Sequence, residues 1–70
     1  MSDSVKLSEA IKSRGVKKGF VAQQIGVSVS TLWRKMKGTS DFTLSEIQTI
    51  AAALKLSDKE IRDIFFSWRD

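Results

Sequence analysis

The side chains best equipped for chemistry in this chain are its lysines and arginines, and they are unevenly placed. Residues 1–40 hold eight of them (Lys6, Lys12, Arg14, Lys17, Lys18, Arg34, Lys35 and Lys37) against Asp3 and Glu9, a balance of +6, whereas residues 41–70 carry −2. Phosphate binding requires a local positive surface, so the first half favours contact with nucleic acid; a solvated lysine-rich face is the plainer alternative. Arg34 is the best candidate base reader, because a guanidinium can donate to both O6 and N7 of guanine, worth about 1–3 kcal/mol of discrimination; a phosphate contact or a solvated charge is its alternative role. Ser30 can bond a base edge or a phosphate, and Lys37, on the same side as Ser30 and Trp33, can reach either.

Other chemistries are poorly supplied. The chain has no Cys and no His, which removes disulfides, thiol nucleophiles, thiolate zinc sites and imidazole acid–base catalysis together. Its acidic residues fall mainly in helix caps and on exposed helical faces. No Gly-rich phosphate loop follows a strand, and no nucleophile has a base beside it. Binding rather than catalysis is expected, with no cofactor and no metal. The N-terminal stretch "MSDSVKLSEAIKS" lacks the apolar run of a signal peptide, and no stretch approaches the roughly 18 apolar residues of a membrane span. Seventy residues are expected to make one cytoplasmic domain over 1–70, burying roughly 60% of the unfolded surface.

The elements that must position these side chains are short helices. Pro is absent, alternation of β-branched residues is scarce, and apolar residues recur at helical spacing. The first helix is predicted from about Ser4 to Arg14, with Leu7 and Ile11 one turn apart and Gly15 as its stop. The second runs from about Lys18 to Ile25, with Val21, Ala22 and Ile25 on one face, and ends at Gly26. The third runs from about Val29 to Lys37, with Ser28 as N-cap and Gly38 as terminator. In "TLSE" and "SDKE", Thr43 with Glu46 and Ser57 with Glu60 have the spacing of capping boxes and open two further helices. Leu44, Ile47, Ile50, Ala51 and Leu54 mark the inner stripe of the fourth; Ile61, Ile64 and Phe65 follow in the fifth. The fold class is therefore a compact all-α domain of five helices.

The most specific pattern is "FVAQQIGVSVSTL". Ala22 suits a close helix crossing, Gly26 a sharp turn with positive φ, Val27 a plug between helices, and Leu32 an inward position. Small and turn residues at these offsets follow the logic of a helix-turn-helix, here at about residues 18–37. With "STLWRKMKGTSDFTLSEIQTIAAALKLSDKEIRDIFF", the chain resembles lambda-repressor-like helix-turn-helix domains, and among them small bacteriophage Cro-like regulators, over roughly residues 5–66. The resemblance implies a transcription regulator, a switch component in which the third helix recognises double-stranded operator DNA and the second lies across the backbone. It places base reading on Ser28, Val29, Ser30, Trp33, Arg34 and Lys37, and backbone contacts on Lys17, Lys18, Gln23, Thr39 and Ser40. Two positions depart from the pattern: Lys18 stands where many relatives have Gln, and Lys35 where the third helix is commonly apolar.

Val29, Leu32, Trp33 and Met36 have the i, i+3, i+4, i+7 spacing of a core stripe, yet the motif turns Trp33 away from the interior, towards Ser30 and Lys37. An exposed Trp beside Val29 would suit a protein partner. The alternative role is thus an antirepressor or co-repressor that holds a phage repressor protein through Val29, Trp33 and Met36. In the tail "IFFSWRD", Phe66 or Trp68 is a candidate contact for a weak homodimer, with packing onto the first helix as the alternative.

Overall fold

Short polar side chains open four of the five α-helices. Asp3 caps α1 (Ser4–Ser13), its Oδ1 accepting from the N–H groups of Val5 and Lys6 at 3.1 and 3.0 Å. Ser28 caps α3 (Val29–Lys37), and its Oγ accepts from Thr31 N–H at 3.1 Å. The two capping boxes form as predicted. Thr43 opens α4 (Leu44–Leu54) and Ser57 opens α5 (Asp58–Ile61), with Glu46 and Glu60 each accepting from the N–H of its cap residue at 2.9 Å. Only α2 (Lys18–Ile25) starts without a side-chain cap, at Lys17. The computed structural model describes residues 3–66, and no strand occurs among these described residues.

The helix ends share one device. After α2, Gly26 takes the left-handed conformation at φ 75° and the Val27 N–H reaches back to the Ala22 carbonyl at 3.0 Å. Turning the chain this sharply asks for positive φ, which costs an L-residue about 1–2 kcal/mol and glycine almost nothing. The same bond pattern closes α4, where Leu56 N–H meets the Ala51 carbonyl at 2.9 Å, but there the left-handed residue is Lys55, at φ 54°. Arg14 supports that unglycinated end from outside: its guanidinium donates to the Leu54 carbonyl at 2.9 Å and the Lys55 carbonyl at 3.4 Å. It also grips both oxygens of Glu60, at 3.0 and 3.1 Å. The expected first helix ends at Ser13, leaving Arg14 as its cap residue.

The core takes one apolar stripe from each long helix: Leu7, Ala10 and Ile11 from α1, Val21 and Ala22 from α2, Leu32 and Met36 from α3, and Ile47, Ile50 and Leu54 from α4. Every buried side chain among the described residues is apolar, so the interior holds no uncompensated charge. α5 runs on into a π-helical turn, Arg62–Phe66, which brings Ile64 and Phe65 into this core. The Phe65 ring meets Phe42 edge-on at 5.4 Å. That turn is fastened to the start of the chain, Asp3 N–H donating to the Ile64 carbonyl at 2.7 Å.

One member of the expected stripes lies elsewhere. Leu44 is 66% exposed. It is the first residue of α4, and because helical Cβ atoms tilt towards the N-terminus, a side chain there points off the end of the helix rather than onto the layer it packs against.

Candidate nucleic-acid interface

α2 and α3 are joined through Gly26, Val27 and Ser28. Val27 is half-buried against the core, and Ala22 and Leu32 are buried. Packing one face of α3 inward through Leu32 and Met36 leaves the opposite face in solvent. That face carries Val29, Ser30, Trp33, Arg34 and Lys37, all exposed. Among the described residues, neither Ser30 nor Arg34 has a side-chain hydrogen-bond or ion-pair partner, so both present free donors outward.

Trp33 lies on this outer face, at 48% exposure, and Val29 at 51%. The Trp33 ring is flanked by two ammonium groups, Lys18 Nζ from α2 and Lys37 Nζ from its own helix, each 5.9 Å from the ring centroid. Such contacts are worth about 0.5–1 kcal/mol each at exposed sites and restrict the ring. Val29 rests against α2 at Gly19, where a methyl group in place of a glycine hydrogen would sit 3.9 Å from Val29 Cγ2. The side chains of Lys18, Val29, Trp33 and Lys37 are therefore brought together across the two helices.

The start of α2 adds to the positive surface. Lys17 occupies the cap position without a side-chain hydrogen bond, so the leading N–H groups of α2 and the positive end of its dipole lie beside Lys17 and Lys18. Lys17 and Gln23 are exposed and Lys18 is half-buried. Thr39 and Ser40, both exposed, follow α3 and donate their N–H groups to the Arg34 carbonyl at 3.0 and 3.4 Å.

One expectation is corrected. Met36 is 1% exposed and cannot anchor a partner: it falls one turn after Leu32 on the inward face, where the core fills around it. Ser28 is exposed, and its hydroxyl oxygen accepts the cap bond from Thr31 N–H and lies 3.0 Å from Thr31 Oγ1. For the tail, Phe66 packs half-buried against the core, where the π-helical turn carries it. Trp68 lies outside the described residues.

Sequence reasoning missed the side chains that hold α3 at its angle. Lys35 is not part of the outer face. Its ammonium reaches across to Glu46 Oε1 at 3.0 Å and to the Asp41 carbonyl at 3.1 Å, with the two side chains only 12% and 16% exposed. Its aliphatic stem replaces the expected apolar side chain, while its charge ties α3 to the cap of α4. Burial alone would raise the Glu46 carboxyl; the hydrogen bond from Thr43 N–H and the bond and charge of Lys35 outweigh it and hold the group below the ordinary glutamate value. Glu60 is likewise lowered, first by Ser57 N–H and then by Arg14. Lys35 and Arg14 are thus structural cations, and the outward-facing charge of the first half is smaller than its composition implies.

An all-helical domain in which α2 and α3 are joined by a tight glycine turn, with the outer face of α3 exposed, has the arrangement of a helix-turn-helix. Residues 7–64 match the family model of the BetR domain. The chain belongs to the BetR domain family, small helical domains of helix-turn-helix regulator type. Neither curated proteins nor solved structures gave a match. Among the described residues no helix is long and apolar enough to cross a membrane.

Proposed function

We propose that this protein is a phage-type transcriptional regulator, Cro-like in its working, that binds double-stranded operator DNA through α3 as a component of a genetic switch in the bacterial cytoplasm. The observation that carries this reading is the outer face of α3, where Arg34 and Ser30 stand without partners beside Lys37, next to Lys17, Lys18 and the uncapped start of α2. In such a docking, Arg34 and Ser30 face base edges from the major groove, while Lys17, Lys18, Lys37, Gln23, Thr39 and Ser40 meet the flanking phosphates. Membership of the BetR domain family supports a regulatory role. The function is binding alone, without catalysis, cofactor or metal.

A second reading is favoured by the exposure of Val29 and Trp33: an antirepressor that covers a phage repressor protein through those two side chains. One experiment separates the two. Purified protein is titrated against DNA enriched from a random pool, alongside Arg34→Ala. The DNA reading expects a shift by the protein alone, weakened roughly 5- to 150-fold in the variant, with unchanged far-ultraviolet circular dichroism. Absence of any shift, with tight capture of a repressor and loss of its DNA complex, would establish the second reading instead.

A further inference from the structure

Resting on the DNA-binding reading above, we infer that α3 recognises thymine through its C5 methyl group, using Val29 and Trp33 as the reading surface. The outward face of α3 divides into two chemistries. Arg34 and Ser30 bring polar donors, whereas Val29 and Trp33 bring exposed carbon, at 51% and 48% exposure. Helix α3, "VSTLWRKMK", contains neither Asn nor Gln, the side chains that read adenine by paired hydrogen bonds to N6 and N7. Of the features an A·T pair presents in the major groove, the thymine methyl is the one that the exposed carbon of this helix matches, since apolar contact is its recognition chemistry.

The geometry fits two such contacts. Val29 and Trp33 lie four residues apart on one face, about 6 Å along the helix axis at 1.5 Å per residue. Two base steps of one DNA strand cover about 6.8 Å. A helix lying along the groove would then set the two side chains against methyl groups of thymines within about three consecutive base pairs. Both side chains are braced for the task. Val29 backs onto the bare backbone of Gly19, and the Trp33 ring has the ammonium groups of Lys18 and Lys37 each 5.9 Å from its centroid.

Those lysines also distinguish DNA from an apolar protein pocket as the occupant. A hydrophobic pocket closing on the Trp33 ring would strip water from two ammonium groups without compensation. In a groove bordered by phosphates the same two charges meet opposite ones, so ring and lysines are satisfied together.

The test begins with the full chain and a site enriched from random duplex DNA, in which each thymine is replaced singly by deoxyuridine. That change removes one methyl group and no hydrogen-bonding atom. Replacement at one or two neighbouring positions should weaken binding about fourfold each, the worth of one buried methyl-sized group, with the remaining thymines silent. Val29→Ser, which removes both methyl groups from an exposed position, should abolish the thymine–uracil difference at one sensitive position. Trp33→Ala should abolish it at the other, and circular dichroism should show both variants folded. A selected site bound equally well with deoxyuridine at every position overturns the inference while leaving DNA binding intact. Sensitivity that persists undiminished in both variants overturns it as well. Failure to enrich any sequence at all, with binding equal on every duplex or absent, removes the DNA-reading function itself and the methyl contact with it.

Discussion

Replacing Lys35 with Met separates structural from functional charge in this domain. Lys35 Nζ lies 3.0 Å from Glu46 Oε1 and 3.1 Å from the Asp41 carbonyl. An exposed pair of this kind is worth about 0–1 kcal/mol, while removing one partner of a fully buried pair costs about 3–5 kcal/mol. Here both side chains keep a narrow edge in water, Glu46 retains its bond from Thr43 N–H at 2.9 Å, and Met fills the space of the lysine stem. The loss at neutral pH should therefore fall near 1–2 kcal/mol, between those limits. For a domain of this size each kcal/mol moves Tm by about 4–8 °C. Urea unfolding followed by circular dichroism should show a lower midpoint with an unchanged slope. The pH dependence carries the sign of the carboxyl shift. Because folding lowers the Glu46 pKa, the folded chain holds its proton less tightly than the unfolded chain. The pair's contribution is thus complete above the ordinary glutamate value of 4.5 and disappears as pH falls through the lower folded value. The gap between native and variant chains should narrow on acidification through this window. Glu60, also lowered, is present in both chains and cancels from the difference. A variant as stable as the native chain at pH 7 would refute the assignment of Lys35 to the fold.

The outward lysines should behave differently. Lys37→Ala should leave stability within about 0.5 kcal/mol and flatten the dependence of log affinity on log salt by about 0.9, the contribution of one phosphate contact. Lys35→Met, despite losing the same charge, should leave that slope unchanged, which a salt titration of both variants against one duplex would check. At the end of α4, Lys55→Gly relieves the left-handed backbone at φ 54° and should stabilise the domain by up to about 1 kcal/mol, since glycine's greater freedom when unfolded offsets part of the gain. The reciprocal change, Gly26→Ala, has open space around the added methyl but must hold φ 75°, and thermal unfolding should register a cost of about 1–2 kcal/mol.

Helix positions were legible because their signals are local. Caps at Ser28, Thr43 and Ser57 each act on the backbone N–H three residues away, and Gly26 and Gly38 mark their own conformations. The orientation of α3 was harder: Val29, Leu32, Trp33 and Met36 share one periodicity, and spacing alone cannot say which pair is inward. The turn motif ending at Leu32 resolves Trp33 correctly, but Met36 then follows Leu32 into the core, where periodicity without the motif had also placed it. Long polar side chains were illegible for a different reason. Arg14 finds its partners about forty residues along the chain, and no spacing rule encodes that reach. The π-helical turn at Arg62–Phe66 and the left-handed Lys55 likewise depend on tertiary contacts, with Ile64 and Phe65 drawn into the core and Arg14 bonded to the end of α4.

These long-range contacts bear directly on the proposed interface. A helix that reads bases must be held at a fixed angle, because its side chains act at hydrogen-bond distances from a rigid partner. α3 is fixed by Leu32 and Met36 beneath it, by Ser28 and Thr31 at its start, and by Lys35 reaching to the α4 cap near its end. The aliphatic stem of Lys35 thus serves the purpose of the apolar residue that the resemblance leads one to expect there, and its ammonium adds a directional bond. A loosened Lys35→Met helix should consequently lose discrimination between the selected and a random duplex while keeping the salt slope of the native chain. If discrimination survives intact in that variant, packing by Leu32 and Met36 is sufficient to aim Arg34, and the ion pair serves stability alone.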